Sequence, residues 1–136
     1  MTGTLAEGKV DLGSRLSIHI VGIGGAGMRA IALVLSSMGH SVSGSDLKNS
    51  SGLDRLTASD IEVTIGHDVS NVGQIDIVAR STAVTDRNIE IREARKRGIP
   101  VVSRAEILSA ITKMKRTVSV AGTHGKTATS SMLAVL

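Results

Sequence analysis

The chain has 136 residues, 41% of them hydrophobic and 21% charged, with a formal net charge of +4 and a single Pro. That composition belongs to a folded unit long enough to bury a core, and it excludes the disordered and fibrous classes. Phe, Tyr, Trp and Cys are all absent, so nucleic-acid binding loses its stacking platform, and disulfides, thiolate zinc sites and Cys nucleophiles are excluded.

Residues 1–15 carry Gly and charges where a leader peptide needs an apolar stretch, and they read as a loose tail. No apolar run reaches the length of a membrane span, so the expectation is a cytoplasmic chain without membrane insertion. From Leu16 the pattern changes. RLSIHIVG is a short Ile- and Val-rich run that ends in glycines, the mark of a buried strand. Met28, Ile31, Ala32, Leu35 and Met38 then recur at helical spacing, and Gly39 stops that helix. HSVSGSD is a second strand ending in Asp46, and a brief helix is expected over residues 53–58. IEVTIG and QIDIVAR give a third and a fourth strand. The helix NIEIREARKR follows, with Asn88 as its cap and Gly98 just past its end. IPVVS is a strand, residues 104–113 a helix with Ile107, Leu108 and Ile111 on one face, and TVSVAG a strand before GTHGKT. Strands that alternate with helices in this way predict an α/β fold, a Rossmann-like parallel sheet with flanking helices. The basic stretch at residues 113–116 is the expected domain boundary. The helix expected after GTHGKT reaches Leu136 without a terminator, so the chain is expected to be part of a longer protein.

Two glycine turns carry the chemistry. Gly22, Ile23, Gly24, Gly25, Ala26 and Gly27 follow a strand and open a helix. One Gly permits the tight turn, another lets backbone approach a diphosphate, and a third lets helix and strand pack closely. The helix start then offers N–H groups and a positive dipole end to phosphate. Asp46 ends the next strand, where such folds place an acid for ribose hydroxyls. The alternative is a tight turn without a ligand. The second turn, Gly122, Thr123, His124, Gly125, Lys126 and Thr127, also lies between an expected strand and helix. It departs from G-x-x-x-x-G-K-[ST] because Val120 stands where the first Gly belongs. Gly125 frees backbone amides for phosphate, Lys126 supplies a point charge, and Thr127 offers a hydroxyl to Mg²⁺. His124 is either a ligand contact or a plain loop residue. A dehydrogenase needs only the first turn and an ATPase only the second. An enzyme that activates a nucleotide-linked substrate with ATP needs both.

HIVGIGGAGM, GHSVSGSD, NIEIREARKRGIPVVSRAEIL and VAGTHGKT, in this order, resemble the Mur ligases over residues 16–136. The resemblance implies a UDP-sugar domain over residues 16–113 and the opening strand, phosphate loop and helix of an ATP-binding domain over residues 114–136. It implies that Gly22, Ile23, Gly24, Gly25, Ala26, Gly27 and Met28 hold the diphosphate of UDP-N-acetylmuramate. Ser45 and Asp46 would lie near the uridine, and Ser81, Thr82 and Ala83 match a substrate-contacting segment. Gly122, Thr123, His124, Gly125, Lys126, Thr127 and Ala128 would bind ATP, with Lys126 catalytic on the γ-phosphate and Thr127 on Mg²⁺. The implied reaction joins L-alanine to UDP-N-acetylmuramate through an acyl phosphate. A sister ligase that attaches a preformed peptide is the near alternative, and a nicotinamide-binding oxidoreductase or regulatory domain the distant one. Arg29 and Ala128 depart from the family pattern, which has a small residue and a Thr there.

The remaining polar residues have plainer readings beside the functional ones. His19, between Ile18 and Ile20, reads as a hydrogen-bonded sheet histidine. His67, after the third strand, stands where parallel sheets place ligand loops and is a candidate substrate contact. Arg104 could reach a phosphate or carboxylate, against a surface ion pair. Asp76 and Asp86 have no partner carboxylate at a spacing that supports acid–base chemistry. Met28 and Met38 are core residues on the plain reading.

Overall fold

The computed structural model describes residues 12–25, 27–49 and 52–125, with side chains described as far as residue 115. Strand β1 (Ser17–Val21) leads through α1 (Met28–Ser37) to β2 (Ser41–Asp46), then through α2 (Leu53–Ala58) to β3 (Glu62–Ile65). A short 3-10 turn, Val69–Asn71, precedes β4 (Ile77–Arg80), and α3 (Ile89–Lys96), β5 (Val101–Ser103) and α4 (Arg104–Gly125) complete the order. The strands form one parallel sheet in the order β3-β2-β1-β4-β5. The order reverses direction beside β1, which pairs with β2 on one side and β4 on the other. Open parallel sheets bind ligands outside the carboxyl ends of the strands at such a point.

Side-chain alternation along the strands explains both layers. Ile18 and Ile20 of β1, Ile77 and Ala79 of β4 and Val102 of β5 join Met28, Ile31 and Leu35 of α1, Leu53 and Leu56 of α2, and Ile107 and Ile111 of α4 in the larger core. Val21 and Val78, one position out of phase, pack with Ile91 and Ala94 of α3 on the opposite face. The core is wholly aliphatic, and Ile18, Ile20, Ile77 and Ile91 have no exposed surface. Each such side chain contributes about 1.5–3 kcal/mol over its exposed state. Met28 and Met38 take the core role expected of them, Met28 buried and Met38 packed at the core's margin.

The punctuation follows local chemistry. Gly39 and Gly98 lie just past α1 and α3 at φ of 99° and 75°, the left-handed conformation that ends helices. The Asn88 side chain accepts from the amides of Glu90 and Ile91 and caps α3. At α4, Ser103 Oγ accepts from the Glu106 amide while Glu106 Oε1 accepts from the Ser103 amide, a reciprocal capping box.

Two expectations change. The helix expected over residues 104–113 continues to Gly125, so residues 117–122 are helical, where a strand was expected. A strand there needs a neighbouring edge, and the sheet's β5 edge is followed directly by α4. Helix continuation pairs each backbone amide within its own segment instead. Leu12, in the segment expected to be a loose tail, is 4% exposed and belongs to the core. Residues 1–11 lie outside the described residues.

Candidate functional site

The carboxyl ends of β1, β2, β3, β4 and β5 converge on the turn after β1, and a dense set of backbone contacts holds that turn in place. The carbonyl of Ser45 accepts from the amides of both Gly22 and Ile23, at 2.8 and 3.0 Å. Gly25 donates to the Gly22 carbonyl, and Met28 donates to the Gly25 carbonyl. Gly22 has φ of 81°, and a Cβ on it would stand 2.9 Å from Val84 Cγ2 and 3.0 Å from Ser81 Cβ. The turn after β1 and the segment after β4 therefore meet without room for a side chain.

Asp46 ties the glycine turn to the end of β2 through both of its carboxylate oxygens. Its Oδ2 accepts from the Gly24 amide at 2.8 Å and its Oδ1 from the Leu47 amide at 2.7 Å. The carboxylate pins the glycine turn to the end of β2, and a Cβ on Gly24 would meet Oδ2 at 2.8 Å. Ile23 and Met28 point inward, with no exposed surface. Their amides are also engaged inside the protein, so both support the turn from beneath. Ala26 lies outside the described residues.

Arg104 comes to the same place from the far edge of the sheet. It opens α4 directly after β5, and a Cβ on Gly27 would stand 2.6 Å from its Nη2 and 2.8 Å from its Nε. The guanidinium thus lies against the residue that caps the N-terminus of α1. Its Nε is buried and has no hydrogen-bond partner among the described residues. Among the described residues Arg104 forms no ion pair, contrary to the plain reading of it as a surface pair. A buried donor without an acceptor is costly, and a cation beside a positive helix end adds repulsion. Both costs disappear when an anion sits there. Ser81 is 7% exposed and accepts from the Ala83 amide, while Thr82 and Ala83 are exposed at the rim.

Beneath the rim lies a polar cluster that sequence reasoning found only in part. Glu90, on the first turn of α3, has no exposed surface. Its Oε1 accepts from Ser45 Oγ and faces His19 Nε2, both at 2.7 Å. Its Oε2 accepts from Asn71 Nδ2 at 2.7 Å and the Asp68 amide at 3.0 Å, and faces His67 Nδ1 at 3.3 Å. Burial pushes the Glu90 carboxyl up, but the hydrogen bonds from His19, Ser45, Asn71 and the Asp68 amide outweigh it and hold the group at about 2. His19 is the sheet histidine expected. His67 is brought to Ser45, with its side chain 12% exposed. Glu90 and Asn71 were missed. The available signal was Glu90 itself, a charge on the α3 face that also carries Ile91 and Ala94.

Of the second turn, Gly122, Thr123, His124 and Gly125 fall within α4, and Lys126, Thr127 and Ala128 lie outside the described residues. Among the described residues no cluster of three His, Cys, Asp or Glu could hold a metal ion, and no helix is long and apolar enough to cross a membrane.

Known proteins resemble this chain in sequence and fold. The family model "Mur ligase family, catalytic domain" matches residues 17–116. A UDP-N-acetylmuramate–L-alanine ligase of Geobacter sulfurreducens is 52% identical over 119 residues, 88% of this chain and 26% of that protein. One of Rubrobacter xylanophilus is 50% identical over 119 residues, 88% of this chain and 27% of that protein. Among solved structures, the UDP-N-acetylmuramate-alanine ligase of Thermotoga maritima matches with a TM-score of 0.71 at 34% identity, covering 74% of this chain and 24% of that one. The UDP-N-acetylmuramate:L-alanyl-gamma-D-glutamyl-meso-diaminopimelate ligase of Neisseria meningitides matches at 0.62 and 27% identity, covering 66% of this chain and 29% of that one. The chain spans about a quarter of the length of these curated relatives. With a family model matched from the first strand into α4, over the sheet that builds the glycine turn and its rim, the chain belongs to the Mur ligase family.

Proposed function

We propose that this chain is the uridine-nucleotide-binding part of an ATP-dependent ligase that joins L-alanine to UDP-N-acetylmuramate in peptidoglycan precursor synthesis, in the cytoplasm. One observation carries the nucleotide assignment: the buried Nε of Arg104, without a partner among the described residues, against Gly27 at the start of α1. A diphosphate there would accept from Arg104 and from the first amides of α1, in the favourable field of the helix end. Ser81, Thr82 and Ala83, in the segment that follows β4, would contact the substrate. Ser45 and His67 would lie on the nucleoside side, His67 as the contact and Ser45 beneath it, and Asp46 would hold the glycine turn in shape.

The acceptor assignment rests on the relatives named L-alanine ligases in two bacteria. Residues 16–113 would form the UDP-sugar domain, and residues 114–136 the opening of an ATP-binding domain. Within the second segment Lys126 would neutralise the phosphates of ATP, with Thr127 beside Mg²⁺. The substrate carboxylate would attack the γ-phosphorus and expel ADP. The amine of L-alanine would then attack the acyl carbon and expel phosphate. In the first step this chain contributes position and charge, because such transfers gain chiefly from orientation and electrostatic stabilisation.

Calorimetry of the chain with UDP and with NADH separates this reading from a nicotinamide-binding one. Saturable binding of UDP without binding of NADH is the expected result. NADH binding in the absence of UDP binding overturns the proposal. Arg104→Ala should weaken UDP at least tenfold, the usual consequence of removing a charge-assisted hydrogen bond.

A further inference from the structure

We propose that Glu90 is a positioning residue that fixes the tautomer of His67, so that His67 Nε2 presents a lone pair to a hydrogen-bond donor on the bound nucleoside. This rests on the uridine-nucleotide reading above and adds to it what the nucleoside side of the site selects.

The proton positions follow from the contacts around one buried carboxylate. Ser45 Oγ lies 2.7 Å from Glu90 Oε1. Two lone pairs at that distance repel, so the Ser45 hydroxyl proton points at Glu90. The same oxygen lies 3.0 Å from His67 Nδ1. With its only proton committed, Ser45 Oγ can act there only as an acceptor. His67 Nδ1 also faces Glu90 Oε2 at 3.3 Å. Both neighbours are acceptors, so Nδ1 carries a proton. In a neutral imidazole the other nitrogen is then bare.

Glu90 remains an acceptor on every side. Its Oε1 takes His19 Nε2 and Ser45 Oγ, and its Oε2 takes Asn71 Nδ2, the Asp68 amide and His67 Nδ1. A group that receives five donors without exposed surface stays ionised. Glu90 is also rigid, because it stands on the first turn of α3, where the Asn88 side chain caps its own amide. The cluster ties β1, β2, the segment after β3 and α3 to one carboxylate.

His67 Nε2 is the member of this cluster left over. His67 hydrogen-bonds only through Nδ1 among the described residues, and its side chain is 12% exposed. The backbone beside it closes the rim, since the Gly66 amide donates to the Asp46 carbonyl at 2.6 Å. His67 thus follows the end of β3, one residue from the Gly66 that bonds the Asp46 carbonyl. An acceptor there fits an N–H or O–H group of the ligand and rejects another lone pair. Uridine offers both kinds of donor, the imide N–H of its base and the hydroxyls of its ribose.

Nitrogen-15 NMR of the uniformly labelled chain at mildly alkaline pH, read at the histidine rings and the backbone amides, tests this directly, without and with UDP. The expected spectrum of the free protein shows His67 protonated at Nδ1 and bare at Nε2. UDP should move the Nε2 resonance toward the hydrogen-bonded range. N3-methyl-UDP should fail to move it if the base is the donor, and 2′,3′-dideoxy-UDP should fail if the ribose is. A proton on Nε2 in the free protein overturns the proposal. So does an Nε2 resonance that saturating UDP leaves unmoved while the amides of Gly22 and Gly27 respond. If those amides do not respond either, the uridine-nucleotide reading itself fails. Glu90→Gln places an amide where only acceptors fit, so it should admit the other His67 tautomer and weaken UDP on the order of tenfold. An unchanged tautomer in a folded Glu90→Gln protein also overturns the proposal. The wild-type spectra decide the matter if that variant does not fold.

Discussion

At the scale of single residues, the glycine turn is tuned by what lies behind it. Gly24 illustrates this, because a Cβ there would press on the Asp46 oxygen that accepts the Gly24 amide. Gly24→Ala should therefore distort the pin between β1 and β2 and weaken UDP more than tenfold, measured by calorimetry on the folded variant. Gly24→Val should be worse, since a β-branched residue adds bulk at the same point. Glu90 makes a second prediction. Its carboxyl is held at about 2 in the folded protein against 4.5 ordinarily. A depressed acid contributes its stability in full above the unfolded value and loses it as pH falls through the folded one. The difference is on the order of 3 kcal/mol at neutral pH. Asp68, held low by its Ser70 hydrogen bonds, and Asp86, held low by Arg80, act with the same sign. The comparison with Glu90→Gln isolates Glu90: urea midpoints of the wild type should fall between about pH 5 and 2 more steeply than those of the variant. The glycines were legible from sequence because a turn with φ of 81° or 79° admits almost no other residue. Glu90 was not, because its partners lie up to 71 positions away, on segments that only the fold brings together.

At the scale of elements, helix ends were easier to read than helix lengths. Asn88 and Gly98 bracket α3 as their chemistry requires. Asn88→Ala should cost about 1 kcal/mol in a urea melt. It should also weaken UDP measurably, because the turn it caps carries Glu90. A loss of stability with UDP affinity unchanged would separate the cap from the site. The reach of α4 was not legible. TVSVAG has the β-branched character of a strand, yet residues 117–122 are helical here. Strand propensity expresses itself only against a neighbouring strand, and a window of six residues cannot reveal whether one is present. Arg104 lies between these cases. Its place at a helix start was legible, but its approach to Gly27 depends on β5 lying two strands from β1.

At the scale of the whole molecule, the chain carries one rim at the ends of five parallel strands, with the second glycine turn far from it in sequence. Lys126→Ala in this chain should therefore leave UDP affinity within about twofold. In a protein with the full length of the relatives, the same change should cut turnover a few hundred-fold, the roughly 3–4 kcal/mol typical of a contact that strengthens in the transition state. A collapse of UDP affinity in the folded variant would mean that both turns serve one nucleotide. The aliphatic core has an optical consequence as well. A protein whose interior is Ile, Leu, Val, Met and Ala has no chromophore of its own in the near ultraviolet, and unfolding it leaves that region dark. A uracil ring held in the chiral rim would be the sole source of circular dichroism there, so ligand capture can be followed by light against a silent background.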